Sequence, residues 1–245
     1  RHCNAMRDAA EAAAEAVEQV QTEPRGTIRV ACPVTLAQST VGPVIALFLA
    51  RYPLVKLDMR VSNRVVDLVE EGVDVALRVR PDLNDSGSLV VKNLGRTQTF
   101  LVCSPALFKR QGVPQSVHAL ANMDSVAMSA VDGKGSWHLL GPGDASHTLV
   151  HQPRYVADDL LTLKFAVLCG TGMSLMPDYM CREELKDGRL VEVLPGWAPP
   201  HGVFHAVYPS RRGMVPAVRR FLDFLGEHTN GEGAPVAPYI CTTDA

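Results

Sequence analysis

The sequence predicts an α/β fold divided into two lobes, and three observations predict it. From Thr27 onward, β-branched apolar runs alternate with segments of helix-forming residues, the pattern of strands joined through helical crossovers. Two similar passages, Phe100-Leu-Val-Cys-Ser-Pro105 and His205-Ala-Val-Tyr-Pro-Ser210, are apolar extended runs that meet a proline, one where the first α/β group stops and one where the second stops. The length of 245 residues suits one large α/β domain or two lobes of roughly 100 residues each, and a hydrophobic share of 47% against 20% charged residues is enough to build their cores.

Residues 5–21 are rich in helix formers, with Met6, Ala9, Ala13, Ala16 and Val20 at alternating steps of three and four. This fits a short coiled-coil seam and equally a solitary amphipathic helix. Pro24 and Gly26 end it. Thr27–Cys32 reads as a strand, Val44–Arg51 as a helix closed by Tyr52-Pro53, and Val55–Val61 as the next strand. Ser62 or Asn63 is placed to cap a short helix through Glu71, Gly72 stops it, and Val73–Val79 is a buried strand. Strand, helix, strand, helix, strand implies a parallel sheet with right-handed crossovers.

Residues 81–88 are dense in turn formers, and strands follow at Leu89–Leu94 and Thr97–Cys103. A second α/β group begins after Ser104-Pro105. It offers strands at Ser125–Ala130 and Trp137–Leu140, a helix Asp158–Cys169 closed by Gly170, a strand Met173–Met176, a helix from Pro177 to Leu185, and strands at Leu190–Leu194 and Val203–Tyr208. The last helix, Val215–His228, carries Val218, Phe221, Leu222 and Leu225 on one stripe. If the two proline-ended runs are crossings, the chain leaves lobe one, builds lobe two and returns. Two unrelated strand ends would look the same. The first reading gives a linker or dimerisation helix at 1–23, lobe one from 24–103 with 207–228, lobe two from 104–206, and a flexible tail at 229–245.

Lys and Arg (24) nearly balance Asp and Glu (26), so the charge footprint of a nucleic-acid binder is not seen. The six cysteines are scattered without a Cys-x-x-Cys pair, and Cys32, Cys103 and Cys169 sit in apolar runs, which points to buried free thiols and a reducing cytoplasm. No apolar stretch reaches about 18 residues, so no membrane span is expected, and the first 21 residues lack the apolar core of a secretory signal. Because it opens on Arg1, the chain is read as a fragment.

The search for catalytic signatures finds no His-Glu-x-x-His, no Gly-x-Ser-x-Gly and no phosphate-binding glycine-lysine loop. His147/His151 and His201/His205 are spaced by four, but in loop or strand context that spacing does not make one helical face. Neither a metal site nor a cofactor is expected. Asp158-Asp159 reads as a helix cap, Trp137 as a core or pocket residue, and Cys169-Gly-Thr-Gly-Met-Ser-Leu-Met-Pro177 as either a ligand-facing turn or a tight connection.

Gly26-Thr-Ile-Arg-Val-Ala-Cys-Pro-Val-Thr35, Phe48-Leu-Ala-Arg-Tyr-Pro53, Asp67-Leu-Val-Glu-Glu-Gly-Val-Asp-Val-Ala76 and Val102-Cys-Ser-Pro-Ala-Leu107 resemble the first lobe of LysR-type transcriptional regulators. Gly170-Thr-Gly-Met-Ser-Leu-Met-Pro177, Glu184-Leu-Lys-Asp-Gly-Arg-Leu-Val191 and Val207-Tyr-Pro-Ser-Arg-Arg212 are similar to the second lobe and the return crossing. The resemblance covers about residues 26–228. It implies two Rossmann-like lobes of the periplasmic-binding-protein type II kind, a dimerising linker helix, and a small-molecule effector in the cleft that controls an N-terminal winged helix-turn-helix, which these residues do not include. DNA would be met only through that domain, and a homo-oligomer, dimer or tetramer, is expected.

Carried over by position, the resemblance places effector contacts at Val34 and Thr35 after the first strand and at Arg78 and Arg80 on the strand entering the cleft. It adds Ser104 and Pro105 at the first crossing, Asp158 at a helix start, and Gly172 and Met173 in the second-lobe loop. The expected ligand is a small organic molecule, either an organic anion against hydroxyls and helix-start amides or a neutral aromatic compound. The competing readings are a periplasmic solute-binding protein of a transporter, which shares the two-lobe fold, and an enzyme on a similar scaffold.

Overall fold

The computed structural model describes residues 23–81, 89–209 and 214–229. The helix expected over 5–21, the turns over 82–88 and the tail beyond Thr229 lie outside the described residues. Strand β1 (Gly26–Cys32) turns Ile28, Val30 and Cys32 to one face, and all three are buried. It pairs in parallel with β2 (Val55–Val61) and β3 (Val75–Arg80).

Between β1 and β2 runs α1 (Val34–Arg51), longer than the expected Val44–Arg51. Ala37–Val41 is a single π-helical turn, and Ser39 Oγ donates to the Thr35 carbonyl at 2.6 Å. That wider turn breaks the apolar period, which is why the sequence shows only the second half of the helix. Glycine is required after it: a Cβ on Gly42 would lie 2.5 Å from the Ala37 oxygen. The helix is apolar enough to match a membrane span in length and hydropathy. Its inner stripe of Leu36, Val41, Val44, Ile45 and Phe48 packs instead on Ile28, Val30, Val75 and Leu77.

The helix expected from Ser62 or Asn63 to Glu71 is a series of turns. Asp67 Oδ1 accepts the N–H groups of Val69 (2.9 Å) and Glu70 (3.0 Å), and Arg64 Nη1 holds the Glu71 carboxylate at 2.8 Å. Such side-chain bonds offer the backbone an alternative to a helix.

β4 (Val90–Thr97) and β12 (Gly202–Tyr208) complete the first sheet in the order β2-β1-β3-β12-β4. The first three strands are parallel as expected, but β12 runs antiparallel to both β3 and β4, so the sheet is mixed. Helix α5 (Pro216–Thr229) lays Ala217, Val218, Phe221, Leu222 and Leu225 onto the same core. Phe48 is its hub, with ring centroids 4.9 Å from Tyr52, 5.2 Å from Phe221 and 5.4 Å from Phe224.

β5 (Thr99–Cys103), expected in the first lobe, belongs to a second sheet, between β10 (Ser174–Pro177) and β11 (Val191–Glu192). Only Gln98 separates it from β4. The extended run passes from one sheet into the next without a turn signal, so Pro105 marks the end of a strand and not the crossing. On the return, β12 is already in the first sheet at Gly202, beside Thr97.

The second lobe holds short elements that the sequence foreshadowed unevenly. Helix α2 (Pro105–Gln111) and strand β8 (Ser146–His151) were not anticipated. The run from Ser125 shortens to β6 (Val126–Ala127), which pairs with β9 (Tyr155–Val156). β7 (Gly135–Leu140) pairs with β8. Helices α3 (Leu160–Leu168) and α4 (Asp178–Lys186) fall close to expectation. Alternation along β5 divides two cores: Leu101 and Cys103 join Leu107, Trp137, Leu149 and Met173 on one side, and Val102 joins Leu163, Val167, Met176 and Cys181 on the other. Cys32 and Cys103 are buried free thiols, pushed up to about 12 by burial. Cys169 is exposed, because it follows α3 on that helix's outer side.

Candidate ligand-binding clefts

Parallel strands present their carboxyl ends to a crevice where α/β folds bind ligands. Here β1 ends at Cys32 and β3 at Arg80, and a cleft of about 310 Å³ opens beside them. Arg78 and Arg80 stand on the same face of β3, two residues apart. Both line the cleft with Pro33, Asn63, Arg64 and Val66. Arg78 Nη2 reaches the Val66 carbonyl at 3.4 Å. Among the described residues, three arginines and no carboxylate line it.

Asn63 connects the lobes at this cleft. Its Oδ1 accepts the Val34 N–H at 3.2 Å, and its Nδ2 donates to the Asp158 carbonyl at 2.9 Å. One side chain thus joins the start of α1 to the segment entering α3. Asp159, the next residue, caps α3 by accepting from Thr162 N (2.8 Å) and Thr162 Oγ1 (2.6 Å), and these bonds hold its carboxyl below the usual range.

A second cleft of about 440 Å³ lies on the other side of the α1 start. Thr35, Gln38, Ser39 and Pro43 form one wall, and residues of α3 and α4 form the other. Thr35 is buried, with its Oγ1 3.5 Å from the Tyr179 hydroxyl. Burial pushes the Tyr179 phenol up to about 12 against the opposing Thr35 hydrogen bond, so it stays protonated at neutral pH. Lys164 and Glu184 form a 2.7 Å ion pair there, and Arg182 pairs with Asp178 at 2.9 Å.

The expected effector residues therefore do not converge on one surface. Arg78 and Arg80 line the first cleft, Thr35 the second, and Val34 and Asp158 are tied through their backbones to Asn63. Ser104 is buried at the start of α2, and its Oγ finds no hydrogen-bond partner among the described residues. Pro105 is the first residue of that helix. Gly172 and Met173 line neither cleft. A Cβ on Gly172 would lie 2.8 Å from the Ser125 backbone, and Met173 is fully buried. The glycine serves the approach of two chain segments. Asn63 was visible in the sequence as a polar residue after a strand, but as a helix cap. Tyr179, Lys164 and Glu184 left no signal, because α3 and α4 read as ordinary helices.

Ser125 Oγ lies 2.6 Å from His151 Nδ1, the spacing of a nucleophile and its base. Both are buried, and the Trp137 and His151 ring centroids lie 3.9 Å apart, so the pair sits within the packed interior of the second lobe. No group of three metal-ligating side chains occurs among the described residues.

Two α/β lobes, with one cleft at the strand ends of the first lobe and another between the lobes, define a small-molecule-binding domain of the periplasmic-binding-protein type II kind. Residues 21–230 match the LysR substrate binding domain family, and the chain belongs to it. It is 34% identical over 235 residues to an HTH-type transcriptional regulator of Xanthomonas campestris, covering 94% of this chain and 67% of that protein. It is 31% identical to the regulator PtxR of Pseudomonas aeruginosa, over 88% of this chain and 68% of that one. Among solved structures, the full-length Vibrio cholerae virulence activator AphB superposes with a TM-score of 0.75 at 25% identity, over 93% of this chain and 77% of that one. The regulatory domain of CrgA from Neisseria meningitidis gives 0.73 at 26%, over 84% and 100%. The chain is thus an effector-sensing domain of a LysR-type transcriptional regulator. The family is one of regulators, not of enzymes or transport proteins.

Proposed function

We propose that the effector is a small organic anion bound at the carboxyl ends of β1 and β3. The observation that carries this reading is the pairing of Arg78 and Arg80 on one face of β3, in a cleft whose described lining residues include no carboxylate and include the lobe-bridging Asn63. An anion there meets charge-assisted donors from lobe one and alters the Asn63 link to lobe two. Val34 and Asp158 take part through the backbone groups that Asn63 holds, while Ser104, Pro105, Gly172 and Met173 support the second lobe behind them. On this reading the protein works in the cytoplasm and reaches DNA through a helix-turn-helix of the kind its relatives' names record. It self-associates as a dimer or tetramer, and the exposed apolar residues Leu47 on α1 and Phe165 on α3 offer a surface for it.

Calorimetry with benzoate as the probe anion tests the site. Arg80→Gln should weaken binding about tenfold, the low end of a lost charge-assisted hydrogen bond because Arg80 is exposed. Thr35→Val, on the other cleft, should leave benzoate affinity unchanged. Equal affinity in wild type and Arg80→Gln refutes the assignment.

A further inference from the structure

The second cleft is built for a different kind of molecule from the first. Its walls come from different lobes, α1 on one side and α3 and α4 on the other, so an occupant would touch both. Its formal charges cancel: Lys164 and Arg182 are matched by Glu183 and Glu184 among the lining residues. The inner pair is already made, Lys164 Nζ to Glu184 Oε1 at 2.7 Å, and Glu184 also takes Arg189 at 3.4 Å. Arg182 is engaged by Asp178 at 2.9 Å. An entering ion would have to displace one of these partners and lose its own hydration, a trade that seldom favours binding.

What the cleft offers instead is apolar wall and neutral hydrogen-bonding groups. Pro43, Leu161, Met180 and the Tyr179 ring supply the first. The second comes from the π-helical turn of α1, which sets Gln38 and Ser39 on the cleft, with Thr35 beside the Tyr179 hydroxyl. π-turns inside helices recur at functional sites. A volume of about 440 Å³ lies in the range of small-molecule pockets.

We propose that the cleft between α1 and the α3/α4 pair is a second small-molecule site, selective for a neutral, ring-bearing compound with an amide or hydroxyl group. It is independent of where the effector anion binds. The two sites read different chemistry, a negative charge at Arg78 and Arg80 and an uncharged ring at Tyr179 and Met180.

The test uses the full chain labelled with 13C at the methionine methyls, with benzamide as the neutral probe and benzoate as the anionic one. Met180 lines the cleft, and Met173, buried in the other core, is the internal control. Benzamide should shift the Met180 methyl saturably and leave Met173 unmoved, while benzoate should need at least a tenfold higher concentration for the same shift. Ser39→Phe, which fills the cleft from the α1 side, should abolish the benzamide shift. Should that variant fail to fold, the wild-type titration decides alone. A Met180 signal that does not move up to the solubility limit of benzamide, that responds equally to benzoate, or that still responds in folded Ser39→Phe overturns the proposal. The benzoate effect of Arg80→Gln stands or falls separately, so failure of one site is distinguishable from failure of the other.

Discussion

Around β1 and β3 the interior is made of aliphatic side chains and a ring cluster centred on Phe48, and the buried His205 has its Nδ1 on the Val203 carbonyl at 2.9 Å. The second lobe mixes apolar packing with buried polar pairs: Ser125 with His151, whose Nε2 has no partner among the described residues, and Lys164 with Glu184. Apolar packing is nearly indifferent to pH and salt, whereas buried polar pairs hold only while both members keep their protonation state and geometry. The first lobe is a frame, and the second is conditional on its surroundings.

The largest effect should come from the frame. Phe221→Ala removes a fully buried ring that packs on Phe48 and should cost about 3–5 kcal/mol in denaturant unfolding. Hydrogen exchange should show protection lost first along β1, β3 and β12. A cost under about 1 kcal/mol, or protection lost equally in both lobes, would break the comparison.

A smaller loss is expected from Lys164→Met, which leaves the Glu184 carboxylate buried with only the longer Arg189 contact. About 2 kcal/mol is expected, with recovery when Glu184 is also replaced by Met. A neutral single variant would show that the pair contributes nothing.

The smallest effect is the pH dependence. Burial holds His151 below its ordinary value of 6.5, so between the two values the unfolded chain binds a proton that the folded chain refuses. Stability is therefore full above 6.5 and falls as the pH drops toward the folded value, by at most about 1.4 kcal/mol per pH unit. The carboxyls held low, Glu71, Asp124, Asp159 and Asp187, stabilise fully above the ordinary carboxylate range and lose that contribution only as the pH falls through it. Melting temperatures across pH 5 to 7 should slope in wild type and flatten in His151→Gln. An equal slope in both moves the effect to another group.

The same contrast governs what could be read from the sequence. The stripe of Val218, Phe221, Leu222 and Leu225 and the β-branched run of β1 announce themselves because a large core imposes a period. β6, β9 and β11 are two residues long, too short to show one. The site was legible only in part for a similar reason. Two arginines alternating on a strand are a local pattern, and so is a glycine pair, but that Gly172 lies against the Ser125 backbone is not. Sequence shows that something approaches a glycine closely without showing what. The 3.5 Å approach of Thr35 to Tyr179 depends on how the lobes meet, which no local pattern encodes.

The two passages between the sheets run side by side, Thr97 leaving and Gly202 returning as neighbours on adjacent strands. A Cβ on Gly202 would lie 2.6 Å from Thr97 Oγ1 and 2.7 Å from Val79 Cγ1, so the side chains of both flanking strands close over this position. A single methyl group at Gly202 would have to displace both side chains, so the absence of one is what lets the two strands that join the lobes lie together at this point.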